Sequence, residues 1–305
     1  MSAVDLTVKL GPLTLKNPVV TASGTFGYGT EFSPFLDLST LGGIVVKGLS
    51  LRPRRGNAPP RIWETPSGML NAIGLQNVGV DAFLQEKLPA LLPFDTAVLA
   101  NVYGEREEEY VQVCERLDGA RGLAGIELNV SCPNTAKGGM EFGVDPMMLE
   151  RLVAAVRRVT SLPLIVKLSP NVTDIGEPAR AAVAGGADIL SLVNTFTGMG
   201  IDAEGRRPVL KNVVGGLSGP AIKPLALYMV HRVAAAVDVP IMGMGGIMNA
   251  VDAVEFLLAG ANAVQIGTSN FLNPGGAATM VGDLAEWCSR HRIGEVRELT
   301  GGLRT

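Results

Sequence analysis

Cysteine is scarce in this sequence. There are three, Cys114, Cys132 and Cys288, and no Cys-x-x-Cys pair. That spacing excludes a zinc ribbon or an iron–sulfur cluster held by this chain's thiolates alone. Cys114 and Cys288 fall in helical patterns and read as packing residues. Histidine is scarcer still: His231 and His291, both in polar helical contexts, are the only two. Neither offers Cys132 the base that a cysteine hydrolase requires, which counts against that chemistry. Charged residues make up 18% of the chain against 47% hydrophobic, the net charge is −3, and no Lys/Arg run forms a footprint for a phosphate backbone. Nucleic acid is therefore not an expected partner. The segment Met1–Leu10 lacks an apolar core of signal-peptide length. Phe256–Gly282 carries no charge and is long enough to span a bilayer, but Asn262, Gln265, Asn270, Asn273 and Pro274 interrupt it. It reads as a helix end, a buried strand and a helix start, so the expectation is a cytoplasmic protein with no membrane segment.

What the chain has is short apolar runs rich in β-branched residues. After a hairpin signal at Leu6–Leu10, Gly11-Pro12 and Leu13–Leu15, they fall at Pro18–Ala22, Gly43–Val46, Thr96–Val102, Gly125–Val130, Leu164–Leu168, Ile189–Val193, Val239–Met244 and Ala263–Ile266. Each is nearly continuous in apolar residues, as in parallel strands covered on both faces. Stretches of helical period separate most of them: Val80–Leu92, Glu105–Leu117, Pro146–Val159, Ile175–Ala184, Ala221–Val237 and Ala250–Leu258. The acidic run Glu105–Glu109 suits a helix N-terminus, and the first interval is the least regular. Strand and helix alternating eight times predict one (β/α)₈ TIM barrel over residues 1–305, with a doubly wound sheet as the structural alternative. The 38 glycines and 19 prolines are dispersed, so no low-complexity block breaks it. Leu49–Val78 and Asn194–Pro220 are longer than barrel loops need. Each is expected to carry an extra hairpin at the C-terminal face.

Active sites of such barrels lie where the strands end. In order, the strand ends read Ala22-Ser23-Gly24, Lys47-Gly48, Asn101, Asn129, Lys167, Asn194-Thr195, Gly245-Gly246 and Gly267-Thr268. The glycine pairs after strands seven and eight, with the Thr268 hydroxyl, suit a phosphate; two ordinary tight turns are the plain alternative. Lys167 lies inside the apolar run Leu164–Leu168, where an ammonium is costly unless paired. It either snorkels to the rim or faces a charge that develops on a cofactor, as on a reduced flavin. Lys47 has the same ambiguity. Cys132 follows strand four between Asn129 and Asn134, ahead of a Gly-rich segment that reads as a mobile lid. Asn71 and Asn194 add amides suited to a heterocycle edged with carbonyls and N–H groups.

The segments N-V-S-C-P-N (129–134), N-A-I-G-L-Q-N (71–77), A-S-G-T-F-G-Y-G (22–29), S-G-P-A-I-K-P (218–224) and G-G-I (245–247) resemble those of the dihydroorotate dehydrogenase family. The resemblance runs along essentially the whole chain. The lid cysteine is similar to class I members, since class II carries serine there, and Asn71–Leu75 resembles the class IB catalytic subunit. The resemblance implies one FMN per chain across the barrel mouth, held by Ser23, Lys47, Gly48, Asn101, Asn129, Lys167, Val193, Gly219, Gly245, Gly246, Gly267 and Thr268. Val193 stands where isoleucine is common. It implies dihydroorotate held by Lys47, Asn71, Ala72, Ile73, Gly74, Leu75, Asn129, Asn134, Asn194 and Thr195. Cys132 is then the base that removes a ring proton while hydride passes from the adjacent carbon to the flavin. A thiol with an ordinary pKa of about 8.5 suits that task near a cation. For a class IB chain, the resemblance further implies a homodimer at the core of a heterotetramer, whose second subunit carries FAD and a [2Fe–2S] cluster and delivers electrons to NAD⁺. The alternatives are a fumarate-reducing class IA-like homodimer, a dihydropyrimidine dehydrogenase-like subunit, and a non-catalytic barrel that binds a phosphate ligand.

Overall fold

The computed structural model describes residues 4–131, 133–134 and 140–304. Eight strands close into a barrel: β1 (Val19–Thr21), β2 (Gly43–Val45), β3 (Ala97–Val102), β4 (Leu123–Asn129), β5 (Leu164–Lys167), β6 (Ile189–Leu192), β7 (Ile241–Met244) and β8 (Ala263–Ile266). Each pairs in parallel with its sequence neighbours, and β8 returns to β1 through Val264 opposite Val19. These strands are mostly apolar on both faces because one face fills the barrel and the other is covered by helices, with Asn101, Glu127, Lys167, Ser191 and Gln265 among the buried polar exceptions. The open-sheet alternative is thereby excluded.

The helical coat follows its sequence periodicity. Glu107–Leu117 buries Tyr110, Val113, Cys114 and Leu117 at alternating spacings of three and one, and its first turn carries Glu107, Glu108 and Glu109. Pro146–Arg157 starts where the Asp145 side chain accepts from the Met148 N–H at 3.1 Å, with Pro146 in the first turn. Ala250–Leu258 is capped by the Asn249 side chain, which accepts from the N–H groups of Val251 and Asp252. The irregular first interval forms two 3₁₀ turns, Thr30–Phe32 and Leu38–Thr40. In the second, Pro89 has no N–H to give the Gln85 carbonyl, and a π turn at Phe83–Lys87 precedes it. Phe256–Gly282 divides into a helix end, β8 and further helices, and no helix among the described residues is long and apolar enough to cross a membrane.

The N-terminal hairpin pairs Val8–Leu10 with Leu13–Leu15. The two long connections do more than the sequence predicts. Their hairpin strands join into one antiparallel sheet in the order Phe196–Met199, Val214–Ser218, Gly68–Asn71, Ile62–Thr65. Leu70, Val209 and Leu210 give this sheet a small core of its own. It stands over the C-terminal ends of the barrel strands and forms one wall of the cavity there.

Candidate functional site

The strand ends and the sheet enclose a cavity of about 390 Å³, a usual size for a small-ligand site. Ser23, Lys47, Gly48, Asn101, Asn129, Lys167, Val193, Gly219, Gly245, Gly246, Gly267 and Thr268 all line it, as do Asn71, Ala72, Ile73, Gly74, Leu75, Asn194 and Thr195. Cys132, and the segment 135–139 of the expected lid, lie outside the described residues. The backbone of Asn134 pairs with Met140 in a two-residue ladder, and its side chain also lies outside what is described.

One side of the cavity is a mesh of amides. Asn194 Nδ2 donates to Asn129 Oδ1 and to Ser131 Oγ, both at 3.0 Å, and Thr195 N–H donates to Asn194 Oδ1 at 2.8 Å. Tyr110 Oη donates to the Asn129 carbonyl at 2.7 Å, which ties this strand end to the outer helix. Opposite, Asn71–Leu75 passes through a left-handed turn in which Leu75 takes φ 57°. Asn77 Nδ2 and Tyr103 Oη both donate to the Leu75 carbonyl at 2.9 Å and hold it there.

A second side is made of backbone. Gly245 and Gly246 have φ of 126° and 76°. A Cβ on Gly246 would come 2.8 Å from Lys223 Cβ and 2.9 Å from the Gly219 carbonyl, so only glycine lets these turns close together. Thr268 Oγ1 donates to Ser218 Oγ at 2.8 Å, joining the turn after β8 to the sheet.

The two lysines differ in their surroundings. The Lys47 ammonium makes no ion pair or hydrogen bond among the described residues, and it is pushed below the ordinary lysine value by burial first, then by the Arg61 and Lys167 charges. An anion placed beside it would relieve both effects. Lys167, by contrast, does not snorkel: it is buried, with Nζ 3.8 Å from Glu127 Oε1. Glu127, fully buried in β4, is the residue that sequence reasoning missed. Asn101 Nδ2 donates to its Oε1 at 2.7 Å, and Ser191 Oγ (2.8 Å) and Gln265 Nε2 (2.6 Å) donate to its Oε2. The signal was present, since Glu127 interrupts an apolar run in the same way as Lys167.

A flavin mononucleotide fits these groups. The glycine turns offer close backbone to a phosphate, and a Cβ on Gly267 would meet nothing nearer than Ala22 Cβ at 3.7 Å. Gln265 Oε1 is buried at the cavity without a partner among the described residues, an acceptor matched to a ring N–H. Lys167 and Asn101 are fixed at the floor as donors. Fold and site together define a (β/α)₈ barrel whose mouth is suited to a flat, hydrogen-bonding ligand that carries negative charge.

Comparison with known proteins narrows this class. Residues 5–287 match the family model described as dihydroorotate dehydrogenase. The chain is 57% identical over 304 residues to the "Dihydroorotate dehydrogenase B (NAD(+)), catalytic subunit" of Geotalea daltonii, covering 100% of both chains. It is 54% identical over 303 residues to the protein of that name from Geobacter sulfurreducens, covering 99% of both. A crystal structure of the Eimeria tenella dihydroorotate dehydrogenase in complex with ferulenol shares the fold, with a TM-score of 0.81 at 23% identity over 98% of this chain and 88% of that one. This chain belongs to the dihydroorotate dehydrogenase family, and its likeness is to the class IB catalytic subunits.

Proposed function

We propose that this chain is a cytoplasmic enzyme that oxidises dihydroorotate to orotate with one bound FMN, in pyrimidine biosynthesis. The observation that carries the reading is the unbalanced Lys47 ammonium facing an amide-lined cavity. Lys47 pairs with the substrate carboxylate. Asn71, Asn129, Asn134 and Asn194 hold the ring's carbonyl and N–H edges, and the Ala72–Leu75 turn and Thr195 shape the pocket around them. The sheet above the cavity excludes water from the reacting carbons. FMN, when bound, supplies the two-electron acceptor for a hydride. The Cys132 thiolate takes the proton from the ring carbon next to the one that gives up that hydride. The substrate loses one proton and one hydride, and a carbon–carbon double bond forms. Lys167 stands where it offsets the negative charge that the cofactor site gains.

The three cysteines do not form a cluster motif, and no Gly-x-Gly-x-x-Gly follows a strand, so NAD⁺ has no fingerprint here. Electrons therefore leave through a partner subunit that carries FAD and a [2Fe–2S] cluster, docked on a homodimer of this chain. The words "catalytic subunit" in the names of the class B relatives support the existence of a partner subunit. The cofactor assignment is tested by denaturing the purified protein and identifying what is released. One FMN per chain is the expected result; FAD, or a colourless protein, would overturn it.

A further inference from the structure

We propose that Glu127 is a positioning residue for this reaction, holding the Lys167 ammonium and the Asn101 amide at the cavity floor and balancing the Lys167 charge. The proposal rests on the flavin reading above. Glu127 is 0% exposed in the middle of β4, between Ile126 and Leu128. Its four neighbours come from four other strands, β3, β5, β6 and β8, and all are donors. A side chain surrounded only by donors has to be an acceptor at both oxygens, which a carboxylate is and a carboxamide is not. Asn101, Lys167 and Gln265 line the cavity whereas Glu127 does not, so it acts on a bound ligand through them.

A purely structural hub would need the hydrogen bonds but not the charge. The charges nearby give it a further task. Lys167 on β5 lies close enough to Lys47 after β2 that its charge disfavours the Lys47 ammonium, and Arg61 adds to this. Glu127 is the acidic group paired with Lys167 among the described residues. Without its charge, the buried Lys167 ammonium and the half-buried Lys47 ammonium would share one cavity without the carboxylate beside Lys167, which favours release of a proton from one of them.

The test uses the flavin-loaded Glu127→Gln and Glu127→Asp variants. The potential of the bound flavin is followed against pH by spectroelectrochemistry, and anaerobic flavin reduction by dihydroorotate by stopped flow. Glu127→Gln is expected to slow reduction by about 10- to 100-fold, with apparent substrate affinity moving far less than the rate. It should also show, in potential and rate alike, an ionisation at lower pH than in the parent. Glu127→Asp keeps the charge but shortens its reach, so a smaller loss and no new ionisation are expected. Ser191→Ala removes only a neutral donor and should keep the parent's pH profile. A flavin-loaded Glu127→Gln with the parent's rate, potential and pH profile would overturn the proposal. If that variant does not retain flavin, reduction of Glu127→Asp at the parent's rate would overturn it equally. A parent chain without flavin would instead remove the reading beneath it.

Discussion

Lys47 and Lys167 are chemically the same group at one cavity, yet they are balanced differently. Lys167 has the Glu127 carboxylate, whereas the Lys47 ammonium has no acidic partner among the described residues and lies beside the Arg61 and Lys167 charges. Because the folded-state value of Lys47 is lowered, the unfolded chain holds the extra proton between that value and the ordinary lysine value. The free protein's stability from this group therefore rises as pH rises through that window. Binding an anion raises the Lys47 value again, so orotate affinity should run the other way and weaken as pH rises there. Titrating orotate into the flavoprotein across alkaline pH, with Lys47→Gln as the control that loses this slope, checks the sign. Lys167→Ala should reduce FMN affinity and slow flavin reduction. It strips Glu127 of its ammonium, destabilising the chain by up to about 3–5 kcal/mol; flavin content and melting temperature read both effects. Cys132→Ala should keep the flavin and lose turnover by roughly 10²–10⁴-fold. Cys132→Ser should retain partial activity that rises at high pH. Turnover of Cys132→Ala at the parent rate would refute the base assignment. At this scale Lys167 was legible because a cation in an apolar strand stands out. Glu127 carried the same signal, but it points beneath the cavity, where a rule that selects strand ends does not look.

The secondary elements show why small residues matter as much as charged ones. The eight strand runs and the main helices were readable from period and length. The pairing of the two excursions was not, because hairpins that meet across the barrel mouth are joined by strand edges rather than by sequence neighbours. That pairing sets Gly216 against Thr195: a Cβ on Gly216 would lie 2.1 Å from Thr195 Oγ1. Gly216→Ala should therefore displace Thr195 and raise KM for dihydroorotate about tenfold or more, comparable to losing about 1.4 kcal/mol of substrate binding. FMN content should stay at the parent level, and steady-state kinetics beside the flavin absorbance checks both. In the glycine turn after β7, Gly246→Ala meets Lys223 Cβ and the Gly219 carbonyl at a φ of 76°. It should destabilise the protein by about 1–3 kcal/mol and release FMN more readily, as melting curves and fluorescence of freed flavin would show.

At the scale of the whole molecule, the barrel supplies a cavity whose walls come from every strand end, which is why the sequence ring and the folded cavity coincide so closely. On the proposed reading, electrons leave this chain through a partner subunit. The reduced chain by itself is expected to respond slowly to NAD⁺ and to fumarate, and to be reoxidised quickly by NAD⁺ once the partner subunit is added. Fast reoxidation by fumarate alone would instead place it with the class IA-like enzymes. Upstream of either acceptor lies the step on which the account depends, the passage of two electrons from dihydroorotate into this chain. The most direct measurement is anaerobic titration of the purified protein with dihydroorotate, and in parallel with dihydrouracil, which lacks the carboxylate that Lys47 would pair. The account predicts that dihydroorotate bleaches the flavin with one orotate formed per FMN, while dihydrouracil leaves it oxidised. A flavin that dihydrouracil reduces and dihydroorotate does not would contradict it.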